Sequence, residues 1–196
     1  GTTLKIAHAP ANTGGLVNDK GVGGDQGSYK QNGWDAVLDI KAGGQNVFLG
    51  VSNSERDDAG KSAGTNSDAR DDHQEGVAGI ILSIGPVQIG AQATAEYTGE
   101  TQIDTAVHGY RNVAYGVAFN VSDNLSISYG ELESKKGFVA TEGGGTRVME
   151  IDSIQAAYTM GGATIKIAET EVTKGKYVST TANDKEATTI ALSLAF

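Results

Sequence analysis

Charged and amide side chains recur at alternate positions in several stretches of this 196-residue chain. Asp35, Asp39 and Lys41 share one parity, as do Gln88, Gln92 and Glu96, and Lys5 and Lys166 stand in similar surroundings in two further stretches. In an extended chain every second residue points to the same side, so each set projects from one face of a strand. Fixed charges on a wall that borders water set a transverse field and bias the passage of ions. The reading opposed to this is that they are solvated wall residues without any such role.

Other groupings have suitable residue types but unsuitable spacing. Gly60-Lys61-Ser62 resembles the end of a phosphate-binding loop, yet Glu55 occupies the place of its first glycine. No G-x-S-x-G elbow and no H-E-x-x-H pair occurs. Asp71, Asp72 and His73, with Asp104 and His108, could serve an outer-rim protease, although neighbouring polar residues on loops are ordinarily solvent-facing. Oxygen-bearing residues crowd at positions 55–58 and 68–73, and again at Asn18, Asp19 and Asp25. None has the spacing of a calcium-binding loop, and no metal site is assigned. With 0 cysteines there is no disulfide, thiolate ligand or thiol nucleophile. The expectation is a protein without catalysis and without a cofactor.

The elements that would position the charged sets are strands. Thr188, Ile190, Leu192, Leu194 and Phe196 alternate with Ala187, Thr189, Ala191, Ser193 and Ala195, one side large and apolar, the other small. The same period of two runs through Val87 to Tyr97 and Val113 to Phe119. Shorter copies surround Leu4, Trp34, Val47, Ile80, Leu125, Ile154 and Ile165, about ten strands in all. The 28 glycines and 2 prolines suit many short strands joined by turns. Connections alternate in length. Residues 42–44, 85–86, 121–123 and 161–162 read as tight turns, whereas 10–32, 54–75, 99–109, 134–146 and 173–184 read as long loops. Short turns at one rim and long loops at the other mark a transmembrane β-barrel, and a soluble sandwich has no reason to alternate in this way. On the apolar parity Phe119, Tyr158 and Phe196 fall beside the tight turns and Trp34 and Tyr97 beside the long loops, as two interfacial girdles would.

A formal net charge of −9 excludes a nucleic-acid backbone as partner. No run of about 18 apolar residues is present, which rules out a transmembrane helix but not a barrel wall, whose apolar signal is diluted by half. No signal-peptide pattern opens the chain, which begins at Gly1.

Two segments resemble the Gram-negative general porins, particularly the alphaproteobacterial type. Residues 115–130, YGVAFNVSDNLSISYG, look like a porin strand, turn and strand, and residues 189–196, TIALSLAF, are similar to the family's terminal strand. The resemblance implies an outer-membrane location, contact with lipid and lipopolysaccharide, a homotrimer, and recognition of the final phenylalanine by the barrel-insertion machinery. It also implies sixteen strands, of which the C-terminal ten or so would be present in a single domain spanning 1–196, and a constriction loop outside this chain. The inward positions Ala114, Gly116, Ala118, Ala187, Ala191 and Ser193 are too small to fill a narrow bore and suit a wide one. The expected function is a water-filled channel for passive diffusion of ions and small hydrophilic solutes. The alternatives are a surface-exposed binding or adhesion barrel and, behind it, a ten-stranded outer-membrane protease.

Overall fold

The computed structural model describes residues 1–10, 32–55, 71–99, 107–138 and 145–194. Ten strands follow one another: β1 (Thr2–Ala9), β2 (Gly33–Ala42), β3 (Gln45–Ser54), β4 (His73–Ile84), β5 (Val87–Tyr97), β6 (Val107–Asn120), β7 (Leu125–Phe138), β8 (Arg147–Met160), β9 (Ala163–Thr173) and β10 (Lys185–Leu194). Each pairs antiparallel with its neighbours in sequence, giving one ten-stranded sheet in the order β1 to β10. Among the described residues β1 pairs only with β2 and β10 only with β9, so the sheet has two edges.

The tight turns lie at one rim, and their glycines have a specific task. The β2–β3 turn places Gly43 and Gly44 at φ +57° and +82°, the left-handed pair that a two-residue hairpin needs to match the twist of its strands. At the β4–β5 turn Gly85 takes φ +57° ahead of Pro86, whose ring already supplies a negative φ. The long connections all lie at the opposite rim, although several strands run further into them than alternation alone suggests. β4 begins at His73, β6 at Val107 with a bulge before Gly109, and β7 continues to Phe138. Polar residues interrupt the period of two in these stretches, which therefore carry no strand signal in the sequence.

Register decides which residues share a face. Leu4, Leu38, Leu49, Ala78, Ala93 and Val113 form one continuous cross-strand row, and Tyr158, Ile165 and Leu192 another on the same face. No large side chain among the described residues is fully buried. Of the large apolar side chains that are exposed, all but Val37 and Val121 stand on this face, Leu4 at 62% and Ile190 at 72% exposure. In β6 the order is inverted relative to a soluble sheet: Val113, Tyr115, Val117 and Phe119 are exposed while Asn112, Ala114, Gly116 and Ala118 are half-buried. Trp34, Phe119 and Tyr158 stand on the apolar face as the parity predicts, and Tyr97 is there too; Phe196 lies outside the described residues.

The apolar band does not have one height. On β5 it runs from Val87 to Ala95, about 20 Å along a barrel axis at a usual strand tilt, but from Leu125 to Tyr129 on β7 and Ala163 to Ile167 on β9 it covers only about 10 Å. Above it, on the same face, stand Glu131, Glu133, Glu150, Asp152, Glu169 and Glu171, set against one another by the register of β7, β8 and β9. Tyr129 donates its hydroxyl to Asp152 at 2.6 Å, at the boundary between the two zones.

Leu192, central in its apolar run, and Ala191, on the opposite face, provide a test of this facing. For protein folded in lipid vesicles and unfolded by denaturant, Leu192→Arg should cost about 2–4 kcal/mol and Ala191→Arg much less. Equal losses would contradict the assignment of faces.

Candidate functional site

The eight polar residues singled out by their spacing all fall on the face opposite the apolar band. Lys5 stands across from Val37, Asp39 across from Phe48, Lys41 across from Asn46, and Lys166 across from Ala157 and Ala191. Gln88 donates to the Ser83 hydroxyl at 3.2 Å, and Lys41 lies 3.7 Å from Asp39 on its own strand. Asp39, Phe48, Gly79, Gln92 and Ala114 form one row, in which the Phe48 ring covers Gly79 so closely that a Cβ there would sit 2.1 Å from Cζ. The face is therefore not uniformly small and polar. Val37, Phe48 and Val77 pad the β2–β4 region, and Leu132, Ile151 and Val172 occupy β7 to β9, in contrast to the small inward residues of β6 and β10.

One row near the long-loop rim gathers most of the charge. Register places Asp35, Ser52, Glu75, Glu96, Tyr110, Lys136 and Arg147 side by side across β2 to β8. Acid therefore occupies its first half and base its second. Only Asp35 and Glu96 stand out in the sequence, because Glu75 and Lys136 lie in stretches that read as loops and Arg147 directly follows one. The basic half rests on rings: the Lys136 ammonium is 5.9 Å from the Tyr110 ring, 5.3 Å from Phe138 and 5.7 Å from Tyr177, and the Arg147 guanidinium is 5.1 Å from Phe138. A hollow of about 400 Å³ is lined by Asp35, Val37, Glu75, Glu96, Thr94 and Asn112 among others.

Tyr177 comes from the β9–β10 connection, which folds onto the polar face. Its hydroxyl is 2.7 Å from the Ser134 oxygen; Ser134 donates to the Asn112 carbonyl oxygen, and Asn112 donates to Thr94 at 2.9 Å. Three strands and the connection are thus joined by one polar chain, and Ser134 is buried, at 4% exposure. The connection is held by its own backbone as well. Lys174, Lys176 and Tyr177 take φ near +54° to +59°, the Lys174 amide donates to Asp184 at 2.7 Å, and a Cβ on Gly175 would meet the Asn183 carbonyl at 2.2 Å. On the opposite face the Lys174 ammonium reaches Glu150 at 3.0 Å.

The candidate protease residues are not gathered on one face. His73 is on the polar face, 3.1 Å from Glu96, while His108 packs edge-on against Tyr97, whose hydroxyl donates to Asp71 at 2.9 Å. Asp72 accepts from Asn53 at 3.2 Å, and Asp104 lies outside the described residues. Also outside are most of the two acid-rich loops, at 11–31 and 56–70.

No family model matches the chain, and no curated protein matches it in sequence. In three dimensions it is similar to the general porin OmpF of Salmonella typhi, solved in complex with daunomycin, with a TM-score of 0.67 at 12% identity. The match covers 98% of this chain and 56% of that one, so the chain spans little more than half the length of the solved protein. At that identity the similarity establishes the fold: an all-β, porin-like antiparallel barrel wall.

The polar chain through Tyr177 makes a prediction. Tyr177→Ala removes a hydrogen bond and a ring beneath Lys136, together worth about 1–2 kcal/mol. Amide exchange within 174–184 should accelerate about 5- to 30-fold while strands β3 to β6 keep their protection. Unchanged exchange in that segment would show that Tyr177 does not hold it.

Proposed function

We propose that this chain forms much of the wall of an outer-membrane porin, a water-filled channel through which ions and small hydrophilic solutes diffuse passively. The observation that carries the reading is the inversion of the sheet over the half nearer the tight turns: there its large apolar side chains are exposed on one face, while small, amide and charged residues predominate on the other. Such an apolar face needs lipid against it, whereas the opposite face needs water. The porin-like fold supports the same conclusion.

Two edges bordered by lipid would leave backbone groups unsatisfied, so the proposal includes further strands that close the wall between β10 and β1. The resemblance to general porins supplies the rest of the assembly: a homotrimer in a lipopolysaccharide-containing membrane, inserted through recognition of the C-terminal strand. The single domain, the absence of a catalytic role and the alphaproteobacterial affinity belong to the same proposal.

The pore-lining set is Lys5, Asp35, Asp39, Lys41, Gln88, Gln92, Glu96 and Lys166, to which the register adds Glu75, Lys136 and Arg147. Asp35, Glu75 and Glu96 make the acidic half of the charged row attractive to cations, while the lining set as a whole holds four acids against five bases. A wide lumen screens charge beyond about 8–10 Å at physiological salt, so the preference is modest and fades as salt rises.

The intact protein reconstituted in a planar bilayer should show open channels with a cation-favouring reversal potential under a salt gradient. Asp35→Asn, Asp39→Asn and Glu96→Gln together should move that potential toward zero with little change in conductance, because they alter field and hardly alter bore. A closed barrel would refute the porin reading and favour binding through the loops. Open channels with an unchanged reversal potential would assign selectivity to other residues.

A further inference from the structure

We propose that His73, Glu75 and Glu96 bind a divalent transition-metal cation of the zinc class on the polar face of the sheet. The nitrogen of His73 and one oxygen from each carboxylate all lie within 4.8 Å of one another. His73 Nε2 is 3.1 Å from Glu96 Oε1 and 3.8 Å from Glu75 Oε1. Tetrahedral zinc holds nitrogen and carboxylate oxygen at roughly 2.0–2.2 Å, which puts neighbouring donors about 3.3 Å apart. Two of the three separations lie near that spacing and the third within 4.8 Å, so adjustment of the exposed carboxylates would complete one face of such a tetrahedron.

The backbone explains why they converge. Glu75 and Glu96 are direct partners in the β4–β5 ladder, and His73 is two residues along on the same face of β4. Two carboxylates directly opposite each other repel, and a shared cation removes that cost. His73 is the enclosed member, its side chain only 16% exposed, whereas Glu75 is 56% and Glu96 38% exposed. The ring is thus fixed by its surroundings, the carboxylates can adjust, and the fourth position opens toward the hollow that both glutamates line. An imidazole nitrogen with two carboxylate oxygens suits zinc and its neighbours in the first transition row, while calcium and magnesium take oxygen alone. Nε2 binds through its lone pair, so the bound ring is neutral and carries its one proton on Nδ1.

No ligand spacing in the sequence announces this site, because Glu75 and Glu96 are 21 positions apart and only strand pairing brings them together. The proposal does not depend on the channel reading, and its test does not use conductance. Full-length protein folded in detergent and stripped with a chelator is titrated with zinc chloride by calorimetry, alongside His73→Gln, Glu75→Gln and, away from the site, His8→Gln. The expected result is saturable binding of one equivalent, unchanged by excess magnesium. Affinity should fall at least about tenfold in His73→Gln and Glu75→Gln, the scale on which ligand-shell changes act, and remain as wild type in His8→Gln. Far-UV circular dichroism verifies that each variant keeps its strands; should His73→Gln lose them, the exposed Glu75→Gln decides. Absence of saturable binding in the wild type, or wild-type affinity in the site variants that fold, would overturn the proposal.

Discussion

Everything described above depends on residue-by-residue antiparallel register. In a sheet with one lipid-like and one water-like face, a slip of one residue along any strand exchanges the two faces of that strand. The pairing is unbroken through nine interfaces, with one bulge at the start of β6. Because four of the hairpins close through turns of at most four residues, each pair of strands is locked to its partner at one end before the long connections come into play. The charged row from Asp35 to Arg147 is a product of that locking. Its members are scattered over more than a hundred positions of the chain, yet each occupies the same rung.

Energetically the sheet has no interior of the usual kind. With no large side chain fully buried among the described residues, the transfer of apolar surface from water has to be completed by whatever lies against the outer face. Side-chain packing within the wall is confined to local pads, such as Phe48 on Gly79 and Val37 with Val77 around Gly50. Hydrogen bonding takes a larger share. The line from Thr94 through Asn112 and Ser134 to Tyr177 satisfies polar groups that would otherwise be stranded at the buried Ser134.

The period of two was legible wherever the two faces differ strongly, as in Val113 to Phe119 and Ile190 to Leu194, and all ten strands could be read from it. It failed where the chemistry of the faces changes along a strand. From Glu131 to Lys135 the outward positions of β7 turn acidic and then basic while Leu132 lies inward, so the hydrophobic pattern inverts although the strand continues. The same loss of contrast hid the start of β4, so that Glu75 carried no signal and His73 stood out only among loop residues. Asp35 and Glu96 were found by parity, but their neighbours in space were not, since cross-strand proximity follows from turn length and register rather than from local spacing. Tyr177 had no local signal at all: it sits 43 positions from Ser134, in a stretch without periodicity, and left-handed backbone at Lys174, Lys176 and Tyr177 brings it inward.

The uneven apolar band has a mechanical corollary. A bilayer whose hydrocarbon layer fits the tall stretch on β5 is too thick for β7 to β9, where carboxylates begin about 10 Å above the turns. Hydrophobic mismatch of this kind is relieved by local thinning of the membrane or by tilt of the inserted body, each at a small cost per ångström. For a wall set in lipid as proposed, one tall and one short flank favour a lean in which the carboxylate flank moves toward the aqueous side and the β5 flank sinks.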